Sequence, residues 1–150
     1  MSLPKVIAKE EHTMEKQEHA MEIVVSQEQG RVPVTIFHIK GALISDEELN
    51  AKAEEAFRAG TRDLLLDLRQ VPYISSQGLR GLHFIYTLLR TDAPGESDQA
   101  VKSGIAAGTF TSPHLKLLGP SAKTLEVLKM TGYDMFLEIH HNLNQAIASF

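Results

Sequence analysis

The run Leu64-Leu65-Leu66-Asp67-Leu68 constrains this chain more than any other feature. It is too short for a helix that buries one face, and its leucines do not alternate with polar residues, so it reads as a short strand covered on both faces. That is the setting of a central strand in an α/β sheet. A short turn follows, and from about Gln77 to Leu89 the residues Leu79, Leu82, Tyr86 and Leu89 recur at the spacing of one buried helical stripe. Strand, turn and helix together predict a βα unit.

The flanking sequence extends the pattern. Residues 1–20 are polar with scattered apolar positions and read as an N-terminal arm, mobile or weakly helical. Glu22 to Val25 and Val32 to Ile39 are strand-like and predict a hairpin turning at Gly30. Pro33 lacks a backbone donor, which places it at a strand start or a free edge. Ser45 and Glu48 have capping-box spacing, and Leu49, Ala53, Ala56 and Phe57 predict a helix that Gly60 stops. The charged residues of that helix read as a solvated face. Thr91 to Thr111 is rich in small and polar residues and is expected to be a long flexible loop. Regular structure resumes with a strand at His114 to Leu118. A helix through Leu125 and Leu128 then ends near Gly132, followed by a strand at Met135 to Ile139 and a helix over Leu143, Ala146, Ile147 and Phe150. The order predicts one α/β domain over residues 21–150, with a mixed, mostly parallel sheet of about five strands and helices mainly on one face.

Whole-chain properties exclude several functions. Cysteine is absent, which removes disulfides, thiolate metal sites and cysteine nucleophiles. Seven histidines include His38, His114 and His140-His141, but none has the spacing of a recognised zinc motif. The formal net charge is -4 with dispersed Lys and Arg, so a nucleic-acid partner is not expected. No stretch has the roughly 20 apolar residues of a membrane span, and residues 1–20 lack a secretory core, so a cytoplasmic protein is expected.

From Leu64 to Leu82 the sequence LLLDLRQVPYISSQGLRGL resembles the STAS family, in particular bacterial anti-sigma factor antagonists. The matching elements are a hydrophobic strand with Asp67, a turn with Tyr73, and the helix start Ser75-Ser76 followed by Gly78-Leu79. Gly41, the turn Gly119-Pro120-Ser121 and the helix end Leu128-Lys129-Met130-Thr131-Gly132-Tyr133 extend the likeness. Two features depart from the family pattern: Ser75 stands where an Asp often precedes the modified serine, and the 91–111 segment is long. The resemblance implies a non-enzymatic phosphoprotein of transcription regulation. Its unphosphorylated form would bind an anti-sigma factor, and that partner, a serine kinase carrying ATP and magnesium, would phosphorylate Ser76, with Ser75 the lesser candidate.

Local chemistry leaves Ser75 and Ser76 open between helix caps and a modification site. A serine needs a positioned base to act as a nucleophile, and none stands near this pair in sequence. A phosphate at a helix start would meet free N–H groups and the positive end of the helix dipole. Gly78 is expected to let a partner approach closely. Gln77, Arg80 and His83 are expected on the exposed face with Ser75 and Ser76 as partner contacts, while Asp67 is expected to support the loop after its strand by accepting backbone hydrogen bonds. No cofactor, metal or membrane insertion is expected of the chain itself, and its oligomeric state is left open. Two other roles fit the same fold: a scaffold or regulatory module of a stress-signalling or transport complex, and a small-ligand sensor using the 91–111 segment as a lid.

Overall fold

The leucine run occupies the centre of a five-stranded sheet of order β1-β2-β3-β4-β5 in the computed structural model, which describes residues 21–91, 98–106 and 110–150. The strands are β1 (Glu22–Gln29), β2 (Pro33–Lys40), β3 (Leu64–Gln70), β4 (Leu115–Leu118) and β5 (Glu138–His140). β1 and β2 form the expected antiparallel hairpin, and β2 through β5 run parallel. Pro33 is the first residue of β2, where its missing donor costs least. The helices are α1 (Glu47–Arg58), α2 (Ser76–Leu89), α3 (Asp98–Ala106), α4 (Ala122–Thr131) and α5 (Leu143–Ala148).

Alternation along the strands sends side chains to two unequal faces. Phe37, Ile39, Leu64, Leu66, Leu68, Leu115 and Leu117 form the major core with residues of α1 to α4, including Leu49, Ala53, Val101 and Leu128. All four residues of the expected α2 stripe are buried there. The second face holds a smaller cluster of Val34, Ile36, Leu65 and Leu118 under Ala146 of α5. Beside it the Lys116 ammonium, buried among apolar neighbours, donates to the Ser149 carbonyl at 2.8 Å and pairs with Glu138 at 3.0 Å. A buried amine needs such partners, because an unpaired buried charge is costly.

Three expectations need correction. The 91–111 segment is not a loop throughout: Asp98–Ala106 is a helix whose Val101 is buried in the major core, while residues 92–97 and 107–109 lie outside the described residues, as does the arm 1–20. α1 is not capped by Ser45. The chain enters the helix at Asp46, whose side chain makes no cap hydrogen bond, and Glu47 and Glu48 place negative charge at the dipole's positive end instead. The last strand begins at Glu138 rather than Met135, because Tyr133–Met135 forms a 3₁₀ turn.

Candidate functional site

The carboxyl ends of the parallel strands form the rim where α2 begins, the position at which open α/β sheets usually meet their ligands. Two loops clamp this helix start. Leu43, beyond β2, pairs with Ile74, beyond β3, as an isolated parallel bridge. The Leu43 N–H donates to the Tyr73 carbonyl at 3.1 Å, and the Ser75 N–H donates to the Leu43 carbonyl at 3.0 Å. From the next loop, the Ser121 hydroxyl donates to the Pro72 carbonyl at 3.2 Å while accepting from the Thr124 N–H at 3.1 Å as the cap of α4. The entrance to α2 is therefore fixed from three sides before any partner arrives.

Ser75 and Ser76 divide the two roles left open by local chemistry. Ser75, extended and half-buried, is the N-cap: its Oγ accepts from the Gly78 N–H at 3.2 Å. Ser76 is the first helical residue and exposed, and none of the hydrogen bonds among the described residues uses its hydroxyl. Because Ser75 does the capping, the Ser76 side chain is released from it. Gln77, Arg80 and His83 are exposed too. Ser76, Arg80 and His83 follow one another by four and three residues, so helical geometry stacks them on one outward stripe.

Gly78 is placed differently from its expected role. It is buried, and a Cβ there would come within 2.3 Å of the Leu43 carbonyl oxygen and 2.7 Å of Ile74 Cγ1. The close approach it permits is internal, between α2 and the Leu43–Ile74 clamp. Asp67 is also not at this rim. It projects from β3 to the second face, where it accepts from Arg69 Nε and Nη2 at 2.9 Å each, from the Arg69 N–H at 3.1 Å, and bonds His38 Nδ1 at 2.8 Å. Burial pushes its carboxyl pKa up, but the bonds from Arg69 and His38 outweigh that and hold it below the ordinary carboxylate value. Its support is thus given to the end of β3 itself, through Arg69, and to β2, through His38, rather than to the following loop.

Ile44, 50% exposed beside the clamp, is a residue of this rim that no sequence motif marks, and Tyr73, 45% exposed, is marked only as part of the turn motif. Both extend from the segments that pin the helix start, so exposed apolar side chains as well as polar groups belong to this rim. An apolar residue just past a strand cannot be told from the strand's own buried tail by periodicity, which is why Ile44 gave no signal.

Residues 24–93 match the family model described as STAS domain. The chain is also similar in structure to an anti-sigma factor antagonist from Mycobacterium paratuberculosis, with a TM-score of 0.61 at 16% identity over 87% of this chain and 94% of that one. A candidate anti-sigma factor antagonist from Thermotoga maritima gives a TM-score of 0.58 at 19% identity, over 83% of this chain and 91% of the other. At these identities the likeness is one of fold. No curated protein matches the chain in sequence.

Proposed function

We propose, from the premise that this chain carries a STAS domain across residues 24–93, that it is an anti-sigma factor antagonist controlled by phosphorylation of Ser76. The observation that carries the proposal is the division of labour at the α2 entrance: Ser75 caps the helix and Ser76 presents an exposed hydroxyl. The unmodified rim, with Ser75, Ser76, Gln77, Arg80 and His83 flanked by Ile44 and Tyr73, docks an anti-sigma factor and frees a sigma factor in the cytoplasm. That partner is the serine kinase and supplies ATP and magnesium.

The physical mechanism needs no catalysis at this rim. A phosphoserine adds about -1.5 to -2 charges at neutral pH. At the first position of α2 the phosphate lies by N–H groups without intrahelical partners and within one helical turn of Arg80. The fold tolerates the charge, whereas a closely docked partner must desolvate it. Phosphorylation therefore releases the partner without unfolding the antagonist.

The test is incubation of the full chain with the anti-sigma kinase and ATP, followed by peptide mass spectrometry and binding titration. Phosphate should map to Ser76, and Ser76→Asp should weaken binding by about tenfold or more, a cost of about 1.4 kcal/mol. The proposal fails if phosphate maps elsewhere and Ser76→Asp binds as tightly as wild type.

A further inference from the structure

The second face of the sheet is covered by α5 over Val34, Ile36, Leu65 and Leu118. Toward the edge strand β1, three polar side chains from three strands stand in line on that face. Ser26 Oγ lies 2.9 Å from His38 Nε2. His38 Nδ1 lies 2.8 Å from Asp67 Oδ2, and β2 and β3 hold these two residues directly opposite each other.

The direction of each hydrogen bond follows from Asp67. Its carboxylate is held ionised by Arg69 and His38 and can only accept, so the proton of this pair is on His38 Nδ1. A neutral imidazole then has a lone pair at Nε2, and the Ser26 hydroxyl donates to it. A hydroxyl, a base within reach of its proton and a third group orienting that base make up an activated nucleophile. Accessibility is graded accordingly, with the Asp67 side chain 6% exposed and that of His38 31% exposed.

The surroundings supply two further parts. Thr35 spends its N–H on the Asp63 carbonyl, toward β3. In the alternating antiparallel ladder, Ile36 and the opposing Ser26 therefore face each other, and the N–H of Gln27 points off the outer edge of β1. No described strand pairs with that edge. A backbone N–H on the residue after the nucleophile is where hydrolases place a donor for a developing oxyanion. Val24, 60% exposed, stands opposite His38 on the same face and offers an apolar rest for a small acyl or aryl group.

We propose that Ser26 is a nucleophilic serine, with His38 as its base and Asp67 as a positioning carboxylate, that accepts the acyl group of small esters. Ser26 Oγ bonds to the acyl carbon while its proton passes to His38 Nε2. The bond from that carbon to the ester oxygen breaks, and the departing alkoxide takes the proton from His38. Water, deprotonated by the same nitrogen, then attacks the acyl-serine, releases the acid and restores the Ser26 hydroxyl. This site lies on a different surface from Ser76 and does not depend on the antagonist reading.

The full chain treated with diisopropyl fluorophosphate tests the proposal, with adducts mapped by peptide mass spectrometry. Wild type should be modified at Ser26, and His38→Gln should slow that modification by about a hundredfold, the usual contribution of a positioned base. Ser26→Ala should abolish both the adduct and the rapid first release of nitrophenolate from p-nitrophenyl acetate. The proposal is overturned if Ser26 in wild type reacts no faster than other exposed serines, a result that needs no variant to fold. It is equally overturned if folded His38→Gln reacts at the wild-type rate, because the trio is then only a hydrogen-bonded tie between strands.

Discussion

The two glycines of α2 face different neighbours, and the difference sets what each substitution costs. At Gly78 an added methyl meets the Leu43 backbone oxygen at 2.3 Å, and that oxygen is held by the Ser75 N–H. At Gly81 the nearest atom is Leu49 Cδ2 at 3.0 Å, the end of a flexible side chain. Gly78→Ala should therefore lose about 1–3 kcal/mol to overpacking, more than the gain in helix propensity of up to about 1 kcal/mol. Gly81→Ala should be nearly neutral. Urea midpoints of the two variants check the contrast, and equal midpoints would refute the clamp as the reason for Gly78. Ser75→Ala should cost about 1 kcal/mol as a lost cap, whereas Ser76→Ala should leave stability unchanged, since the Ser76 hydroxyl holds no hydrogen bond among the described residues.

Elements whose own sequence repeats a pattern were legible, and those held by tertiary contacts were not. β3 and α2 announce themselves through an unbroken apolar run and a four-residue stripe, and α4 through the helix end at Gly132, whose φ of 80° suits a residue without a Cβ. α3 has no such pattern: DQAVKSGIA contains Ser103 and Gly104, and Val101 is the residue it buries fully among those described. Its helix depends on docking: Val101 enters the core, and the Phe110 N–H returns to the Gly104 carbonyl at 3.1 Å. Val101→Ala should thus abolish hydrogen-exchange protection in α3 while leaving β3 and α2 protected. Loss of protection throughout would mean that α3 is part of the cooperative core. The Ser75-Ser76 entrance was readable because capping is a local code. The Ser26, His38 and Asp67 alignment was not, since its members are 12 and 29 residues apart and meet only through strand register.

Across the whole molecule, two carboxylate ties on the second face, those of Asp67 and Glu138, make stability depend on acid. Glu138 is pushed up by burial but lowered further by Lys116 and His140, so its carboxyl, like that of Asp67, titrates below the ordinary value. A carboxylate depressed in the folded state contributes fully above its unfolded pKa, near 4, and the contribution is lost as pH falls through the folded value. Thermal midpoints should accordingly be level above about pH 5 and decline below about pH 4, and Glu138→Gln should make the decline shallower. An identical acid profile for this variant would dissociate Glu138 from it. Lys116 adds a different consequence. Its amine is sealed beneath the closing turn of α5, against Ser149 and 4.9 Å from the centre of the Phe150 ring. Acetylating reagent in excess should consume the surface lysines at once and reach Lys116 only when this last helix lifts. Its slow mass increment then works as a clock that counts the opening of one corner of the fold.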